Sequence, residues 1–172
     1  MCKILLLILS VMGLFVAFRS TARSSEMAGG PDSCEYWQAK ADASLPRPTA
    51  PDPDLTDSST LMAGIECLLK MEGNKNRAAF SGAISLSVSQ SFENTPADVA
   101  ALYYISYLYY QRFDHADAVA LSGTDGSVNT PEVVREAYRS YKKWFAEVKR
   151  VGLTKARQMK LDPLKGTKVR WY

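Results

Sequence analysis

The chain's only histidine lies in Arg112-Phe113-Asp114-His115-Ala116-Asp117. A catalytic imidazole needs a carboxylate to orient it, which Asp114 or Asp117 can supply, and Ser81 or Ser122 would then complete a triad. The same cluster offers one imidazole and two carboxylates to a metal. Neither chemistry has its required context. No nucleophile-elbow sequence surrounds a serine, and no second ligand cluster follows at a fixed spacing. A histidine near a helix C-terminus suits the dipole when charged and bonds a nearby carbonyl, and that is the expectation for His115.

Other motifs weaken in the same way. Ser140-Tyr141-Lys142-Lys143 matches Ser-x-x-Lys, but the nucleophile of that motif opens a helix, whereas Ser140 falls inside one, and no Ser-Asp-Asn or Lys-Thr-Gly follows. Asp52 with Asp54, and Asp114 with Asp117, lack the setting of a glycosidase pair. No glycine-rich phosphate loop or dinucleotide fingerprint is present. No cofactor or metal is expected, and the reading leans away from an enzyme. An envelope hydrolase or metal-dependent enzyme centred on His115 is kept as the alternative.

Tyr103, Tyr104, Tyr107, Tyr109 and Tyr110 crowd one segment. They would suit a stacking groove for sugars or cations, but tyrosines on so apolar a helix are expected in the core, with Tyr104 and Gln111 on its more polar side.

The charge layout is more informative. Residues 131–172 hold 12 Lys and Arg against 4 Asp and Glu, a balance of +8, while residues 23–130 hold 7 against 14, a balance of −7. Arg139, Lys142, Lys143 and Arg150 form the centre of a basic flank beside an apolar stripe. A basic amphipathic helix binds an acidic protein or an anionic envelope component, or else pairs with the acidic half of its own molecule. Nucleic acid is not expected as a partner, because the two halves nearly cancel.

Residues 1–22 have a basic start, an apolar run over 4–18 and a small-residue exit, the signature of a secretory signal cut after Ala22. The run is shorter than the roughly 20 residues of a membrane span. Arg19 and Arg23 directly after it support an alternative, an uncleaved anchor through residues 4–18, and only then is the membrane a partner. The expected location is secreted or periplasmic. Removing the leader takes away Cys2 and leaves Cys34 and Cys67, which an oxidising compartment would join in a disulfide.

The elements that must position these groups follow from periodicity and punctuation. Cys34-Glu35-Tyr36-Trp37 opens a short helix reaching about residue 43, and four prolines over 46–53 make a stiff extended connector. Asp57 or Ser58 caps a helix to about Glu72, with Leu61, Ile65, Leu68 and Leu69 on its apolar stripe. Ile84, Leu86 and Val88 alternate with serines as a strand would, and Lys168-Val169-Arg170-Trp171 is the candidate partner. Thr95-Pro96 predicts a helix to about Phe113, apolar nearly all round and therefore central. Residues 114–129 read as a loop. Thr130-Pro131 predicts a long amphipathic helix to about Gly152, then a kink and a short helix.

The expected fold is all-α, a small bundle of about three main helices with an extended N-terminal segment and one short β pairing. The expected organisation is a signal peptide (1–22), a flexible Pro-rich segment (23–56) and a helical domain (57–172). With about 150 residues after the leader, one sizeable core is available. The expected function is a non-catalytic binding or interaction module of the cell envelope or exterior, with a membrane-anchored structural protein as a further alternative.

Overall fold

A computed structural model describes residues 29–48, 50–79, 95–111 and 119–172. It is mainly helical: α1 (Cys34–Ala41), α2 (Ser58–Leu68) with a 3₁₀ turn (Leu69–Met71), α3 (Ala97–Tyr110), α4 (Pro131–Val151) and α5 (Leu153–Gln158). Two short strands, β1 (Leu121–Gly123) and β2 (Val169–Trp171), pair antiparallel.

Local chemistry sets most helix ends. Ser33 caps α1, its Oγ accepting from the Tyr36 amide at 3.2 Å. Asp57 caps α2 by accepting from the amides of Ser59 and Thr60. Thr130 caps α4 with Pro131 at its first position, and Glu132 at one end with Lys149 and Arg150 at the other complement the dipole. Gly152, at φ +86°, breaks α4 from α5.

The start of α3 differs from expectation. Pro96 occupies the cap position and caps nothing with a side chain. Thr95 instead donates its hydroxyl to the Val119 carbonyl at 3.3 Å. The first amides of α3 are satisfied from outside: Ala97 donates to Asn76 and Asp98 to Asn74. The Asp98 carboxylate, fully buried, accepts from the Val99 amide at 2.9 Å and pairs with Lys75 at 2.6 Å.

α3 is the central helix. Residues 97–106, Leu108 and Tyr109 are all buried. Tyr104 is among them, at 3% exposure, which corrects its expected place on a polar side. The reason is that α1, α2 and α4 all pack on α3, leaving it no polar face. Gln111 is exposed and ends the helix in the left-handed conformation, with its side-chain amide donating to the Leu55 carbonyl. At the same end Arg157 of α5 donates to the carbonyls of Leu108 and Tyr109 at 2.9 and 2.8 Å, closing the C-terminus of α3. Burial holds its guanidinium below the usual arginine range.

The core begins before residue 57. Tyr36 and Trp37 of α1 are buried in it, and Cys34 is joined to Cys67 of α2 by a disulfide. The connector is pinned as well, since the Tyr36 hydroxyl donates to the Pro51 carbonyl and Lys40 pairs with Asp52.

The β pairing is the largest rearrangement of the expected plan. The run around Ile84, Leu86 and Val88 lies outside the described residues. Val169–Trp171 pairs instead with Leu121–Gly123, inside the stretch read as a loop, in the register Leu121 opposite Trp171 and Gly123 opposite Val169. Three residues are too few to display a period of two, so β1 carried no sequence signal. A chain of hydrogen bonds then locks β2 to the bundle. Trp171 Nε1 donates to the Tyr141 hydroxyl at 3.1 Å, and Ser106 Oγ donates to the Leu102 carbonyl at 3.2 Å. Tyr141 therefore donates its own proton across the 2.6 Å contact to Ser106.

Candidate functional site

α4 buries Val133, Val134, Ala137, Tyr138, Tyr141, Trp144, Phe145 and Val148 and leaves its charged residues around the remaining arc. The structure divides that arc in two. On the side facing α2 and the 3₁₀ turn, Lys142 pairs with Glu72, and Lys149 with Glu66 at 3.3 Å. Both lysines also lie over rings of their own helix, Lys142 above Tyr138 and Lys149 above Phe145. Near the helix end Arg150 pairs with Glu147, which holds that carboxyl below the usual carboxylate range and raises the guanidinium.

On the other side, α4 and residues 159–167 enclose a groove of about 420 Å³. Arg139 and Lys143, one helical turn apart, stand on its helical wall. Lys160 and Lys165 stand on the facing wall. None of these four cations makes an ion pair among the described residues. Trp144, Met159, Leu161 and Pro163 supply the apolar lining, with Met159 half exposed.

The facing wall is held in shape by its own bonds. Ser140 donates its hydroxyl to the Pro163 carbonyl at 2.6 Å, and the Lys168 amide donates to Glu136 at 3.2 Å. Asp162 accepts from the Leu164 amide at 2.8 Å. The wall begins where α5 ends, in a 6→1 bond from the Leu161 amide to the Ala156 carbonyl. The residue at the left-handed position of such an ending is usually glycine; here it is Lys160, at φ +52°.

Of the four cations singled out in the sequence, Arg139 and Lys143 meet at the groove, while Lys142 and Arg150 are engaged by Glu72 and Glu147. Lys160 and Lys165 went unrecognised. Their only trace was the basic character of the tail, because the turns that bring 159–167 against α4 are tertiary.

The other candidates separate. Ser81, Asp114, His115 and Asp117 lie outside the described residues. Ser122 is buried in β1, where its Oγ accepts from Arg170 Nε at 3.4 Å. Ser140 spends its hydroxyl on Pro163, which leaves Ser-x-x-Lys as a coincidence of helix surface. Asp52 serves Lys40 and Tyr36, whereas Asp54 caps the turn at Thr56, so the two carboxylates do not act together. Among the described residues no three His, Cys, Asp or Glu side chains gather as a metal site would require.

No protein-family model matches this chain, and neither does any curated protein or solved structure. Among the described residues no helix is long and apolar enough to cross a membrane.

Proposed function

We propose that this protein is an exported, non-catalytic binding module whose contact surface is the basic face of α4, and that it recognises an acidic partner outside the cytosol. The observation that carries the reading is the unequal treatment of the cations on α4. Lys142, Lys149 and Arg150 are ion-paired with carboxylates of their own chain, whereas Arg139 and Lys143 make no ion pair among the described residues. Intramolecular pairing accounts for the first group. Two solvated cations a turn apart, beside a groove of mixed apolar and charged lining, are instead a surface that an acidic partner completes.

Export rests on the leader-like residues 1–22 and on the Cys34–Cys67 bridge, a covalent link that persists in oxidising compartments. Intact mass of the native protein, by cell fraction and with thiol labelling, tests it. A soluble species starting near Arg23, labelled only after reduction, is expected. A full-length membrane species with free thiols would replace this reading with an anchored one.

The binding surface is tested with immobilised poly-glutamate and two charge-matched double reversals. Arg139→Glu with Lys143→Glu should abolish salt-sensitive retention. Arg47→Glu with Lys155→Glu makes the same change in net charge outside the groove and should retain most of it. Equal loss in both variants would mean non-specific attraction and would sink the surface.

A further inference from the structure

The groove beside α4 has two walls, and its second wall carries information that the basic helix alone does not. We infer that the groove takes an extended acidic peptide segment of a partner protein, with carboxylates at alternate positions and an apolar residue between them. This rests on the reading of α4 as the contact surface and names what that surface holds.

The groove's own chemistry favours spaced carboxylates over a run of phosphates. Glu136, Glu147 and Asp162 line it together with Arg139, Lys143, Lys160 and Lys165. Three carboxylates among four cations leave the lining nearly neutral, so a continuous run of phosphates gains little there, while carboxylates placed one at a time can each meet a cation. The apolar lining of Trp144, Leu161 and half-exposed Met159 wants a hydrocarbon group that a polyphosphate does not have. At about 420 Å³ the groove has the size of a small-molecule site, so it receives a few residues of a segment and not the face of a folded domain.

Spacing is compatible with an extended chain. Arg139 and Lys143 are separated by four residues of helix, a rise of about 6 Å. Alternate side chains of an extended strand point the same way about 6.6 Å apart. Carboxylates at positions i and i+2 of the ligand therefore meet Arg139 and Lys143, and the residue between them faces the opposite wall, where Met159 and Lys160 stand.

Lys160 supplies an independent observation. Its left-handed conformation is one that glycine adopts without cost and lysine does not. Its backbone serves the ending of α5, its amide donating to the Arg157 carbonyl at 3.0 Å, but its ammonium makes no ion pair among the described residues. A strained residue bearing an unpartnered charge at a groove is what a binding role predicts.

The test uses the protein as its host makes it, with the disulfide intact, and a short fluorescent peptide of alternating Glu and Leu followed by anisotropy. Wild type should bind, more weakly as salt rises. Lys160→Gly should bind about fivefold more weakly, the effect of one lost charge pair, while melting at or above the wild-type temperature. Met159→Ser should also weaken binding without a change in salt dependence. If poly-glutamate retention needs Arg139 and Lys143 but neither Lys160→Gly nor Met159→Ser alters peptide binding, the ligand lies on the open face of α4, and the groove proposal fails while the surface survives. Preference for polyphosphate or for phosphatidylserine vesicles over the peptide would overturn the proposal. So would concentration-dependent self-association lost in Lys160→Gly, which would make a second copy the occupant.

Discussion

Trp37 lies across Gly64 so closely that a Cβ added at Gly64 would stand 2.6 Å from the indole ring. This contact seats α1 on α2, the two helices that the Cys34–Cys67 bridge joins. Gly64→Ala should therefore destabilise the fold by about 1–3 kcal/mol through overpacking, which outweighs the roughly 1 kcal/mol that alanine gains over glycine in a helix. Urea unfolding measures it. A neutral or stabilised variant would mean that the two helices separate at little cost.

Removing the bridge should cost more. The bond links residues 33 apart in sequence. On the chain-entropy argument its loss lowers stability by roughly 3–4 kcal/mol. Because Tyr36 and Trp37 stay buried by packing, Cys34→Ala with Cys67→Ala should still fold, with an unchanged far-ultraviolet spectrum and a lower urea midpoint. A variant that fails to fold would show that α1 is held by the covalent link alone.

Alkaline conditions should unfold the protein. Burial pushes the Tyr138 and Tyr141 phenols far above the ordinary tyrosine range; the Asp98 and Glu72 charges add to the effect at Tyr138, while the bond from Trp171 opposes it at Tyr141. The folded state holds these protons more tightly than the unfolded state. Their contribution is thus complete below about pH 10 and is lost as pH rises above it, by about 1.4 kcal/mol per pH unit for each phenol. Phenolate absorbance and circular dichroism should change together. Ionisation of all the tyrosines with the fold intact would contradict their burial.

Tyr141→Phe leaves Trp171 Nε1 without its acceptor and Ser106 without its donor. The loss should be about 1–3 kcal/mol, the cost of orphaning buried polar groups. Amide exchange should locate it in β1 and β2. Uniform exchange across the molecule would mean that the β pair unfolds only with the core.

Gly152→Ala tests the break between α4 and α5. Its φ of +86° and ψ of 148° form a combination that only glycine adopts readily. A cost of about 1–3 kcal/mol is expected, with loss of the Arg157 bonds to the end of α3 if α5 moves. Retained stability would show that the two helices merge without strain.

The sequence by itself determined the elements whose signals are local. The stripe of α4, the all-round apolar character of α3, the caps at Asp57 and Thr130 and the stop at Gly152 were readable because a helix's periodicity and its ends are written within a few residues. The pairing of Cys34 with Cys67 is readable because only two cysteines follow residue 22. Tertiary structure alone decided what depends on residues distant in the chain. Lys142 meets Glu72 across 70 positions and Lys149 meets Glu66 across 83, so no window of sequence could show which cations of α4 are neutralised. The choice of β1 as the partner of β2, the fit of Trp37 on Gly64, and the fold of 159–167 that sets Lys160 and Lys165 opposite Arg139 and Lys143 are of the same kind. Periodicity states which face of a helix is buried, but only packing states what stands across from it.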